Sequence, residues 1–183
     1  VGKATWAVSA SPHDPNTGQG EQPMAYMGHG AQAAEVEVHV ETGQVRVRKF
    51  TSAIDVGKAM NPQGVEMQNF GGACMGIGIV LHEDLCFDAS GRMTNANFMD
   101  YKIPSIVEMP LNEYMKSIIV EVPHQHGPYG AKGAGEIVVV PTSPAIGNAI
   151  YDAIGVRLWE QPLTPEKVLR AWKEKQAAGN GGA

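Results

Sequence analysis

The sequence has 183 residues, with 14 Lys and Arg against 19 Asp and Glu for a net charge of −5. That length holds one domain with a real core or two small lobes, and the scattered basic residues leave no positive face for nucleic acid. No apolar run approaches the ~20 residues of a membrane span, and no signal-peptide pattern opens the chain. Cys74 and Cys86 match no zinc or iron–sulfur spacing. Two thiols without a secretion pattern point to a reducing compartment, with the cytoplasm as the expected location.

Residues 1–27 are rich in turn formers, with Trp6 and Val8 spaced for one face of a short strand. Glu35-Val36-Glu37-Val38-His39-Val40 alternates strictly, the period of a half-buried strand that places His39 on the solvated face. Glu41-Thr42-Gly43-Gln44 reads as a turn, and Val45-Arg46-Val47-Arg48 resumes the alternation, which predicts a hairpin extended through Thr51–Val56. Gly28-His29-Gly30-Ala31-Gln32-Ala33 fits a loose dinucleotide pattern, but no β-rich run precedes it, so it carries no such site.

Asn61 and Pro62 form an N-cap and first helical position, and Phe70, Ala73, Cys74, Ile77 and Leu81 recur at helical spacing. Gly71, Gly72, Gly76 and Gly78 weaken that helix by up to ~1 kcal/mol each relative to alanine. They fit only where another backbone or a cofactor comes close. Glu83–Phe87 and Arg92–Thr94 flank Asp88-Ala89-Ser90-Gly91, a second hairpin signal, and Ile118–Val122 reads as a strand. The segment from Asn97 to Pro104 mixes polar and aromatic residues, which either line a pocket or, as expected here, enter the core. Ser143 and Pro144 begin a helix with Ile146, Ala149, Ile150 and Ala153 on one stripe and Gly155 as its stop. Thr164-Pro165-Glu166 begins the last helix, through Val168, Leu169 and Trp172. Residues 177–183 have nothing to bury and are expected as a flexible tail. The elements together predict an α+β fold, a mixed or antiparallel sheet with packed helices.

Between the last strand and those helices lies His124-Gln125-His126-Gly127-Pro128-Tyr129-Gly130-Ala131-Lys132-Gly133-Ala134-Gly135-Glu136, followed by Ile137–Val140, an apolar run of the kind that gets buried. Four glycines in nine residues bring backbone close to any ligand, and a carboxylate closing such a loop against an apolar run is a candidate base with a raised pKa. A flexible surface loop that happens to end in glutamate is the plainer alternative. A phosphate loop would need Ser or Thr after its Gly-Lys, whereas Ala131 precedes Lys132 and Gly133 follows it. His124 and His126 form a His-x-His pair with no third ligand evident, so no protein-ligated metal is expected.

The ten residues Gly127–Glu136 closely resemble the active-site loop of the molybdenum hydroxylases, the xanthine dehydrogenase and aldehyde oxidoreductase family. Further similar segments are Ala34–Val38, Asp55-Val56-Gly57 with Asn61-Pro62, Gly71–Gly78, Asn97–Pro104, Pro141–Ala153 and Leu163–Leu169. The resemblance implies that residues 1–176 are the C-terminal portion of a molybdopterin-binding domain, carried as a separate subunit that is inactive alone. It makes Glu136 the general base, and Lys132, Gly133, Ala134 and Gly135 with Cys74 and Met75 the cofactor-binding residues. The implied cofactor is molybdenum-molybdopterin, bare or as the cytosine dinucleotide, with 2Fe-2S clusters and FAD on partner subunits. The implied partners are a second molybdopterin-domain subunit, an iron–sulfur subunit and a flavin subunit. The implied reaction is hydroxylation of an N-heterocycle or aldehyde carbon with oxygen from water. Met75 departs from the pattern, standing where many members carry a glutamine; a thioether is a weak acceptor and no donor. Met75 as ordinary core filler, a scaffold that has lost turnover, and an unrelated α+β binding module remain as alternatives.

Overall fold

The computed structural model describes residues 2–5, 10–24 and 26–180; Trp6 and Val8 lie outside the described residues. The hairpin is β1 (Gly30–His39) and β2 (Gln44–Asp55), antiparallel, with Gly43 at a positive φ of 77° in the turn. The register shifts between Glu35 and Val36, which face Lys49 and Val47, so Arg48 is an extra, bulged residue. A bulge reverses the parity of the strand. Val45 and Val47 therefore face inward before it and Phe50, Ser52 and Ile54 after it, all buried.

β3 (Met115–Val120) joins β2 in parallel, giving a mixed three-stranded sheet in the order β1-β2-β3. It starts three residues earlier and ends two earlier than the sequence suggests. The second hairpin does not form as strands. Asp88 accepts backbone N–H groups of Ser90 and Arg92 and holds the turn, but Phe87 and Met93 make one isolated bridge. A two-stranded ribbon with no third strand beside it has little to stabilise it.

α1 (Pro62–Leu81) opens on Asn61, whose side chain accepts the Gly64 N–H at 3.0 Å. Its buried face carries Val65, Asn69, Ala73, Ile77, Val80 and Leu81, while Phe70 and Cys74 are only half-buried. α2 (Thr142–Ile154) starts one residue before Ser143 and ends at Gly155, which takes the left-handed conformation. Its stripe is Thr142, Ile146, Ile150 and Ile154 at four-residue spacing, with Ala153 exposed. α3 (Pro165–Asn180) runs through residues 177–180, where a tail was expected, and residues 181–183 lie outside the described residues. The core joins Val47 and Phe50 of the sheet to Ile77 and Val80 of α1, Ile146 and Ile150 of α2, and Val168 of α3.

Two expectations about apolar segments are corrected. Residues Glu136–Ile154 are by length and composition apolar enough to cross a membrane. They divide instead into a short 3₁₀ turn and α2, whose isoleucine stripe is buried in the core. The segment after Asn97 does not enter the core: Phe98 is 88% exposed, with Met99, Ile103, Ile106 and Val107 also exposed. Tyr101 is tied down there, donating to Glu83 at 2.6 Å, and Pro104 packs against Gly78 of α1.

Candidate active site

The glycine loop leaves the sheet after β3 and turns back within a few residues. Pro128–Gly130 make one 3₁₀ turn, with Gly130 at φ 83° and Tyr129 at φ 54°. The Gly130 carbonyl then accepts the N–H groups of both Lys58 and His124. A Cβ on Gly57 would lie 2.1 Å from that carbonyl oxygen, so the close approach requires glycine. Ala131 bridges Gly57, and the Lys132 N–H donates to Val56 O at 2.9 Å.

Lys132 turns its side chain inward, with Nζ 2.6 Å from Asp55 Oδ2 and the two side chains 7% and 6% exposed. Asp55 Oδ1 accepts the backbone N–H groups of Gly57 at 2.9 Å and Val122 at 3.1 Å. Burial pushes the Asp55 carboxyl up, but the Lys132 ammonium and those two amides together hold it below its ordinary value. His29 Nδ1 stands 4.0 Å from the same carboxylate on the exposed side.

Beyond Lys132, the Gly133 N–H donates to the Tyr26 hydroxyl at 2.7 Å, and the Tyr26 ring sits 5.1 Å from that of His124. Among the described residues, the backbone N–H groups of Ala134 and Gly135 have no acceptor. Glu136–Val138 form a second 3₁₀ turn. Three residues per turn point three ways. Val138 is therefore fully buried and Val140 exposed, which corrects the expectation that the whole run is buried. Glu136 is exposed, so the apolar enclosure expected around it is not supplied by the described residues. It opens onto a cleft of about 430 Å³ lined by Tyr26, Gly28, Gly133, Gly135, Ile137, Val140 and Pro141 among others.

The glycine helix lies directly behind this turn. A Cβ on Gly72 would meet Val138 Cβ at 2.6 Å, and one on Gly76 would meet Thr142 Oγ1 at 2.5 Å. Gln68 Oε1 comes within 3.7 Å of the Cβ position of Gly135. Gln68, Gly72 and Gly76, four residues apart, form one ridge toward the loop. A Cβ on Gly78 would likewise meet Pro104 Cδ at 2.8 Å, so Gly72, Gly76 and Gly78 all serve close packing by this chain's own side chains, whereas Gly71 faces open space. Cys74 is half-buried, its thiol pKa raised by burial. Met75 is 56% exposed, which removes core filling as its role.

The loop's far end is locked by a small polar network. Gln32 Nε2 donates to Val138 O at 2.7 Å and reaches Ser52 Oγ, while the buried Thr142 hydroxyl lies 2.8 Å from Gln32 Oε1. His124 and His126 lie side by side, ring centroids 5.9 Å apart. Among the described residues no group of three His, Cys, Asp or Glu side chains is placed to hold a metal ion. Sequence reading assigned no role to Asp55, Tyr26, Gln32 or Thr142. For Asp55 a signal existed, as the lone acid of β2, standing at its end.

The geometry suits a large, oxygen- and nitrogen-rich group bound through main chain. Two adjacent N–H donors without an acceptor among the described residues sit on Ala134 and Gly135, with Gly133 and Gly135 exposed and Ala134 half-buried between them. The molybdopterin cofactor-binding domain family matches residues 2–110. Aldehyde oxidoreductase of Megalodesulfovibrio gigas is 37% identical over 169 residues, 92% of this chain and 18% of that protein. Nicotine 6-hydroxylase large subunit of Paenarthrobacter nicotinovorans is 38% identical over 148 residues, 79% of this chain and 18% of its own length. The crystal structure of aldehyde oxidoreductase from Desulfovibrio desulfuricans ATCC 27774 superposes with a TM-score of 0.74 at 37% identity, covering 82% of this chain and 16% of that one. The chain spans 15–20% of the length of such relatives. With a family match over more than half its residues and this fold, the chain belongs to the molybdenum hydroxylases and holds part of their molybdopterin-binding domain.

Proposed function

We propose that residues 1–176 are the C-terminal portion of the molybdopterin-binding domain of a molybdenum hydroxylase, and that they carry its general base, Glu136. The observation that carries this reading is that Glu136 lines one cleft with Gly133 and Gly135, beside the Ala134 and Gly135 N–H groups that have no acceptor among the described residues. The net reaction converts R–H and water to R–OH with release of two protons and two electrons. Molybdopterin, when bound, supplies the oxygen-transfer and two-electron chemistry.

In that reaction Glu136 takes up one of the two protons. Gly133, Ala134 and Gly135 hold the cofactor through main chain, and Lys132 fixes the loop from within. Cys74 and Met75 lie on the glycine helix behind it. The substrate is an N-heterocycle or an aldehyde, as the names of the nicotine-hydroxylating and aldehyde-oxidising relatives suggest.

The chain works as a subunit, inactive alone, beside a second molybdopterin-domain subunit, a 2Fe-2S subunit and an FAD subunit that lead electrons away. A relative named as a large subunit and the exposed apolar segment around Phe98 support a partnered chain. Two free cysteines support a cytoplasmic setting. Glu136→Gln in the assembled enzyme tests the reading. The expected result is full molybdenum and pterin content with turnover lowered roughly 10²–10⁴-fold. Wild-type turnover would remove Glu136 from the chemistry and leave the scaffold role.

A further inference from the structure

We infer that Asp55 is a positioning residue for the glycine loop, acting through Lys132 to fix where Gly133–Glu136 run. The functional half of this inference rests on the assignment of Glu136 as the base; the mechanical half does not. Residue 132 is held twice to the end of β2, by its N–H on Val56 O and by its ammonium on Asp55, with Nζ to Oδ2 at 2.6 Å. Asp55 is itself held from two sides, by the amides of Gly57 and Val122, so one carboxylate gathers the ends of β2 and β3 and the loop. His29 Nδ1 also faces that carboxylate, 4.0 Å away.

The span between anchors is short. Val138 is clamped against Gly72 and bonded to Gln32, and Lys132 is clamped by Asp55, which leaves five residues between them. Two of those five are glycines, with no conformational preference of their own to hold the path. A buried ion pair is a poor source of stability compared with apolar groups of the same volume. What it adds is direction, a short contact that admits one placement of the lysine and hence of the backbone beyond it.

The test uses the assembled enzyme with both charges removed, Asp55→Asn with Lys132→Met, so that no buried charge is left unpaired. Amide hydrogen exchange followed by mass spectrometry over residues 130–138 is the primary readout, with that of α2 as internal reference. We expect exchange in the loop to rise about tenfold or more while α2 stays unchanged. We also expect kcat to fall about tenfold or more with little change in KM, the mark of a misplaced catalytic group. Loop exchange at the wild-type rate in this variant overturns the inference. If the double variant does not fold, Lys132→Met alone, which leaves Asp55 its two amide donors, is judged by the same exchange readout. The exchange result needs no turnover, so it stands or falls separately from Glu136→Gln.

Discussion

The two ends of α1 are held by different physics. Toward its C-terminal half, Ala73, Ile77, Val80 and Leu81 join side chains from the sheet, α2 and α3 in one continuous apolar core. Toward its N-terminal half, a small cluster of Val65, Ile54, Val56 and Val138 sits beneath the glycine loop, and the rest of that region is held by directed polar contacts. The first region tolerates small shifts because apolar contacts are non-directional. The second fixes a backbone path that presents two open N–H groups and a carboxylate.

Substitutions at both ends sharpen this contrast. Ile150→Ala, at a fully buried position of α2, removes core volume and is expected to cost about 4 kcal/mol of stability in denaturant unfolding. Loop exchange would change there only in step with global opening. Asp55→Asn leaves Lys132 buried without its partner, an expected cost of about 3 kcal/mol. That difference carries a pH signature. The folded pKa of Asp55 lies below its ordinary value of 3.8, so its stabilisation is full above that value and is lost as pH falls through the lowered one. Unfolding curves of wild type and Asp55→Asn should therefore converge in strong acid; a constant gap down to the lowest pH would contradict the pairing.

Gly76→Ala brings a Cβ to 2.5 Å from Thr142 Oγ1 and should cost about 2 kcal/mol. The smallest effect has the opposite sign. Gly71→Ala adds a methyl into open space and should stabilise the chain by roughly 0.5–1 kcal/mol. A lowered molybdenum content in that variant of the assembly would mark Gly71 as a surface for the cofactor; unchanged content would leave its glycine without a packing reason.

Much of the element layout was legible in the sequence because its signals are local. Alternation gave the second half of β1, from Glu35, and the start of β2, Asn61-Pro62 gave the start of α1, and Gly155 gave the stop of α2. In the loop, residue order singled out Gly133, Gly135 and Glu136, which line one cleft; the role proposed for them rests on that order. The partners that hold the strip were not legible. Asp55 and Lys132 stand 77 residues apart in the chain, Tyr26 and Gly133 stand 107, and no periodicity links such pairs. The burial expected for Ile137–Val140 failed because composition does not tell a strand from a 3₁₀ turn.

The extra residue at Arg48 constrains how this protein can change. Removing Thr51, past the bulge, would turn Ser52 and Ile54 toward water and carry Asp55 to the helix side of the sheet, away from Lys132. Removing Arg48 itself would instead close the bulge and keep Phe50, Ser52 and Ile54 inward, so the bulge is where this strand can lose a single residue. The anchoring of a loop 77 residues downstream depends on keeping the count past the bulge.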